Sequence, residues 1–201
     1  TLQREFDIGN DVASSRHTFV RLAGDDRIYH ARDNFRNKFN RPQGEFRDKT
    51  VLSFAGSDIQ EIELAKGENV LLLRRSQAPL EKEAAGDEGQ SPLKGEMIWQ
   101  GRDGRKGDET RLNRLLTALS SLSCDAYIDD RKKEDFTNPI YSIRLTGDRE
   151  YSLKIFSKLK EDDDQYPAVS SENNYPFLLP EWKAKDVMPE ATEIFENSKE
   201  S

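Results

Sequence analysis

Ile59-Gln60-Glu61-Ile62-Glu63-Leu64-Ala65-Lys66-Gly67-Glu68-Asn69-Val70-Leu71-Leu72-Leu73 is the stretch on which the fold turns. Two apolar-rich runs, 59–64 and 70–73, flank a turn at Lys66-Gly67-Glu68-Asn69. That arrangement is a β-hairpin signal. Upstream lie a strand-like run, residues 50–54, and a short turn at Ser57-Asp58. Further back, Thr18-Phe19-Val20-Arg21-Leu22 and Arg27-Ile28-Tyr29-His30 flank Gly24-Asp25-Asp26, another hairpin. Before it, Glu5-Phe6-Asp7-Ile8 alternates polar and apolar as a half-buried strand does, and a polar loop is expected over residues 9–16.

Between these hairpins, Asp33 is placed to cap a short helix carrying Phe35 and Phe39 on one face, with Pro42 and Gly44 ending it. Downstream, residues 76–95 contain Gly, Pro and many charges without apolar periodicity. Such a long unpatterned segment predicts a flexible insertion. Met97-Ile98-Trp99 reads as a strand anchored by its Trp. Asp108 then opens the clearest helix, with Leu112, Leu115, Leu116, Leu119 and Leu122 at i, i+3, i+4, i+7 and i+10. A short strand is expected at 126–128. Hairpins follow at 141–145 with 151–156, turning at Gly147-Asp148, and at 166–169 with 175–179, turning at Glu172-Asn173-Asn174. Pro180 introduces a final helical stretch that breaks at Pro189. The expected class is α+β: antiparallel hairpins with short helices in one domain, residues 1–201.

Composition bounds the rest. Charged residues make up 34%, equal to the hydrophobic share, and mean hydropathy is −0.87. Ten Phe, six Tyr and two Trp still supply enough burial for a folded domain. The net charge of −7 argues against nucleic acid, which needs clustered cations. Arg131-Lys132-Lys133 and the basic residues of 102–106 read as solvated loops. Cys124 is the only cysteine, so no intrachain disulfide forms. No run approaches the roughly 18 apolar residues of a membrane span. The sequence opens at Thr1 without a Met, and is expected to be part of a longer protein.

The end of the chain echoes its beginning. At an offset of 149, Val20 matches Val169, Ile28 matches Phe177, Phe39 matches Met188 and Phe46 matches Phe195. Ile8 matches Ile155 if the acidic loop adds two residues. The reading is a duplicated strand–hairpin–helix unit, residues 5–46 echoed by 152–195. A competing echo pairs Val20-Arg21-Leu22-Ala23-Gly24-Asp25 with Ile143-Arg144-Leu145-Thr146-Gly147-Asp148, which is taken as convergence on one turn chemistry.

Arg47-Asp48-Lys49-Thr50-Val51-Leu52-Ser53-Phe54, followed by Asp58-Ile59-Gln60-Glu61-Ile62-Glu63-Leu64, resembles the core signature of the DUF4340 family. The lone-Trp strand at Trp99, the Leu-rich helix and the strand after Pro139 also have counterparts there. The resemblance runs roughly over residues 20–195, and the 76–95 insertion departs from it. It implies a bacterial protein outside the cytoplasmic membrane, tethered by an N-terminal anchor. It also implies a gene neighbourhood with ABC transporter components of the gliding-motility type. It brings no catalytic residues.

No catalytic, cofactor-binding or metal-binding residue is assigned. His17 and His30 have no ligand partners at metal spacing, and Cys124 reads as a small buried hydrophobe. Gly101-Arg102-Asp103-Gly104-Arg105-Lys106-Gly107 before a helix invites an anion, but lacks the Walker ending, and Asp108 would repel one. Glu161-Asp162-Asp163-Asp164 lacks the spacing of a calcium loop and reads as a solvated loop. Trp182, Tyr175 and Phe177 could form a stacking platform, but the core is the preferred reading, as the echo with Ile28 predicts for Phe177. The expected function is a non-catalytic extracytoplasmic accessory or binding module, contacting protein or envelope polymer. It meets no nucleic acid and reaches the membrane only through an anchor. The alternatives are a carboxylate-based hydrolase or ligand-binding domain, and a structural spacer.

Overall fold

A computed structural model describes residues 4–11, 17–77 and 97–195. It divides the chain into two compact units, Thr1–Asp48 and Lys49–Ser201. Antiparallel strands dominate both, as the α+β expectation has it.

In the first unit, β1 (Phe6–Asp11), β2 (Thr18–Leu22) and β3 (Tyr29–Ala31) form an antiparallel sheet in that order. β1 runs three residues beyond the expected strand, into Gly9-Asn10-Asp11, so the expected polar loop starts later. Residues 12–16 of that loop lie outside the described residues. The register sets Phe6 against Leu22 and Ile8 against Val20, giving one apolar face. On it lies α1 (Phe35–Phe39), whose two phenyl rings stack at 5.7 Å while Phe6 meets both edge-on. Asn34, not Asp33, caps α1, accepting from the Asn37 N–H at 2.9 Å. Asp33 instead pairs with Lys38. Thr18 is fully buried and ties the unit together. Its hydroxyl donates to Asp11 at 3.3 Å and accepts from the Phe35 N–H at 3.0 Å.

The second unit opens with β4 (Thr50–Ser53), then β5 (Glu61–Lys66) and β6 (Asn69–Gln77), the hairpin legible from the start. Gly67 at its turn has φ +58°, a conformation that glycine adopts without steric cost. Ser76 and Gln77 of the expected insertion belong to β6, and its remaining residues, 78–95, lie outside the described residues. β7 (Met97–Gly101) pairs with β6. The helix α2 (Glu109–Ser120) follows, capped by Asp108 accepting from the Arg111 N–H at 3.0 Å. Four of the five predicted leucines are buried on it. Leu122 is buried too, but in β8 (Ser121–Ser123), which leaves the helix to pair with β4.

Next come β9 (Ala126–Tyr127), the hairpin β10 (Tyr141–Thr146) with β11 (Glu150–Ile155), and β12 (Gln165–Ser170) with β13 (Phe177–Pro180). α3 (Glu181–Val187) and a 3-10 turn, Ala191–Glu193, follow. The sheet has eight strands in the order β7-β6-β5-β10-β11-β12-β13-β9, and every neighbouring pair is antiparallel. At its centre, Leu64 opposes Ile143 and Ile62 opposes Leu145. Cross-strand register puts Leu73, Ile62, Leu145 and Tyr151 in one row, with Leu64, Ile143, Leu153 and Ser170 in the next. These side chains share one face and join the α2 leucines in a single core. The opposite face carries Glu63, Arg144 and Lys154, the one-sided pattern of an antiparallel sheet. Ser170, a buried polar residue of the covered face, donates to the Val51 carbonyl and so fastens β4 over the sheet.

The competing echo is not one turn chemistry. Gly24 is left-handed, at φ +79°, whereas Gly147 is not among the glycines of positive φ. Gly147 is small for a different reason: a Cβ there would sit 2.2 Å from the Asp58 carbonyl oxygen.

Candidate functional site

The residues weighed from the sequence scatter rather than converge. His17 and His30 stack at 5.1 Å in the first unit, and His30 also stacks on Phe19. Among the described residues, no group of three or more His, Cys, Asp or Glu is placed to hold a metal. Cys124 is buried, and burial pushes its thiol pKa up, away from the reactive thiolate. In the 101–107 loop, Asp103 accepts from the Arg105 N–H at 3.1 Å, and Arg105 lies over the Phe195 ring at 3.8 Å. Gly107 is boxed in by Leu112, Leu73 and Trp99, so this loop is a packing joint. In the acidic loop, Asp163 accepts from the Lys160 N–H at 3.0 Å and the Asp164 carbonyl accepts from the Glu181 N–H at 2.7 Å.

The aromatic trio divides. Phe177 is fully buried, as the core reading has it, but Trp182 is 63% exposed and Tyr175 52%. Helical period explains Trp182. Ala184 and Val187, three residues apart, form the buried face of α3, and Trp182 lies about 200° around the helix from Ala184. The signal was therefore in the sequence, in the spacing of Ala184 and Val187.

Trp182 stands between two open grooves. One, of about 450 Å³, is lined by Asp125, Asp164, Gln165, Glu181 and Lys185 together with the indole. The other, of about 220 Å³, is lined by Ala118, Leu122, Ser123 and Val187 on its far side. The groove walls are held by specific bonds. Gln165 Nε2 donates to Asp125 Oδ2 at 2.5 Å, and Lys183 Nζ donates to both oxygens of Ser123 at 2.7 Å. Lys183 also lies 5.4 Å from the Trp182 ring centre. Glu181 accepts from Lys185 at 2.6 Å and Lys158 at 2.9 Å, and these two hydrogen bonds lower its pKa to about 2. Such a site offers a flat apolar surface beside hydrogen-bonding groups, the chemistry of recognition.

Its Glu181 is tuned away from proton donation. A glycosidase-type acid needs a carboxyl raised by burial or by a second carboxylate. Among the described residues, the carboxylates with clear shifts are Asp25, Asp33, Asp103 and Glu181, and all four move down through hydrogen bonds to Arg or Lys side chains or to backbone N–H groups. A further groove of about 390 Å³ beside Arg111 and Arg114 has its cations engaged: Arg111 donates to the Glu193 carbonyl and Arg114 pairs with Asp186.

A family model described as "Domain of unknown function (DUF4340)" matches residues 1–139. The chain belongs to the DUF4340 family. The match begins ahead of the expected residues 20–195 and ends at 139, well short of their end and just before β10, so in this DUF4340 chain it takes in the first unit, the strands β4 to β9 and α2. Trp182 lies outside the matched residues, whereas Ala118, Leu122, Ser123 and Asp125 of its grooves lie within them. No curated protein and no solved structure matches the chain. Among the described residues, no helix of this DUF4340 protein is long and apolar enough to cross a membrane.

Proposed function

We propose that this DUF4340 chain is a non-catalytic binding module of a membrane-anchored protein, working outside the cytoplasmic membrane beside an ABC-type transport assembly. Its partner is a protein or an envelope polymer, gripped at Trp182. The observation that carries the binding role is the exposed indole between two grooves, which the core does not need for packing. The location and the transport association rest on the family resemblance. Fractionation of the full-length protein tests the location. Recovery with the membrane fraction is expected, and recovery only as a free cytosolic monomer would reject it.

A duplicated unit belongs to the same proposal. Three antiparallel strands, a short helix and a 3-10 turn follow one another in β1-β2-β3-α1 and again in β11-β12-β13-α3. The turns, Gln43–Phe46 and Ala191–Glu193, overlap under the same offset of 149, which carries 43–46 to 192–195. This correspondence also favours a second reading, in which the module is one link of a repeated structural spacer.

A further inference from the structure

The two grooves beside Trp182 differ in chemistry, and together they describe one kind of occupant. The larger holds acceptors that the fold leaves unused. Asp125 Oδ2 accepts from Gln165, but among the described residues Asp125 Oδ1, Gln165 Oε1 and the Asp164 carboxylate take part in no hydrogen bond within the protein. Neutral hydroxyl groups are the donors that such a set suits, through charge-assisted hydrogen bonds to the two carboxylates. A phosphate, sulfate or carboxylate polymer is repelled by the same charges. Glu181, the third acid of this groove, is already held by Lys158 and Lys185.

The smaller groove has apolar walls at Ala118, Leu122 and Val187. Beside them stands Lys183, whose ammonium gives two hydrogen bonds to Ser123 and has a third N–H to donate. This pairing suits a short aliphatic group attached to a hydrogen-bond acceptor. The indole lines both grooves, so an occupant that uses both must cross it. A pyranose ring presents a flat face of C–H bonds to such an aromatic surface.

We infer that the Trp182 site binds a neutral glycan of N-acetylhexosamine units, lying across the indole with hydroxyls on Asp125, Asp164 and Gln165 and an acetamido group in the smaller groove. This deepens the binding role proposed above and rests on it. The acetamido group joins a methyl for Ala118, Leu122 and Val187 to a carbonyl oxygen for Lys183. Neither groove selects such a ligand by itself, since the acceptors suit any polyol and the apolar walls any small aliphatic group. A protein segment is the poorer occupant. Aromatic anchors of protein interfaces sit in desolvated apolar centres, whereas Glu181, Lys183, Lys185 and Asp186 surround Trp182 on α3.

Isothermal titration calorimetry of the 201-residue chain tests this, with chitotetraose, the N-acetylglucosamine tetramer, as the probe. Cellotetraose, which has the same backbone without acetamido groups, is expected to bind at least about 10-fold more weakly. Trp182→Ala is expected to weaken chitotetraose binding on the order of 30-fold. Its melting temperature is expected to stay unchanged, because the indole is largely exposed. Ala118→Leu, which narrows the smaller groove, is expected to abolish the preference for chitotetraose while cellotetraose binding is kept. No chitotetraose binding, equal binding of the two glycans, or binding that survives Trp182→Ala overturns the inference. So does a preference that survives Ala118→Leu. Tighter binding of the deacetylated glucosamine tetramer overturns it too, since the carboxylates are then holding a cation. An adduct of position 182 with an envelope protein, without chitotetraose binding, removes this inference and leaves the binding module standing. Chitotetraose binding by a protein recovered from the cytosol supports the inference and removes the proposed location alone.

Discussion

Phe177→Ala is expected to lower the free energy of unfolding by about 3–5 kcal/mol, the cost of emptying a buried aromatic site. Ile28→Ala, at the matching position of the first unit, is expected to change it by less than about 0.5 kcal/mol in the 201-residue chain. Phe177 sits in β13 opposite Ala168 on one side and Tyr127 on the other, in the row of core residues that includes Tyr141 and Ile155. Its removal leaves a hole bounded by strands on both sides, which cannot close without breaking register. Ile28 precedes β3 and faces water, so its removal empties nothing. Urea unfolding followed by circular dichroism measures both. Comparable losses for the two variants would contradict the difference in burial between the two positions.

Gly147→Ala is expected to destabilise the second unit by about 3 kcal/mol, at the upper end for an added methyl group. Its Cβ would stand 2.2 Å from the Asp58 carbonyl oxygen, 2.9 Å from the Asp58 carbonyl carbon and 3.3 Å from the Ile59 Cα. All three are backbone atoms, so no side chain can turn aside. The backbone is held there from both sides, because the Gln60 N–H donates to the Thr146 carbonyl at 2.8 Å. Gly24→Ala, in the look-alike hexapeptide, meets nothing within 4 Å and pays only for its positive φ, about 1–2 kcal/mol. Thermal melts of the two variants separate a steric glycine from a conformational one. Equal shifts would mean that the Gly147 hairpin stands off from residues 58–59.

The hairpins β5–β6 and β10–β11 were legible because alternation and turn residues act over a few positions. Their union at the sheet centre was not, because Ile62 and Leu145 are paired by tertiary packing across a long stretch of sequence. The β4–β8 ribbon was invisible for the same reason. Three residues carry no period, and Leu122 continued the helical spacing so well that it read as helix. The shift of the α1 cap from Asp33 to Asn34 is a choice between two good capping residues, which Lys38 decides by engaging Asp33. Trp182 was misplaced because it was assigned to the core together with Phe177, although the spacing of Ala184 and Val187 put it on the other side of α3.

The binding role at Trp182 is tested most directly by a photoreactive amino acid placed at position 182 of the full-length protein in the living cell. A covalent adduct with an envelope protein or polymer is predicted, above the level seen with the same probe at the exposed Lys154. Labelling at position 182 no greater than at Lys154, or adducts with cytosolic proteins alone, would contradict the account.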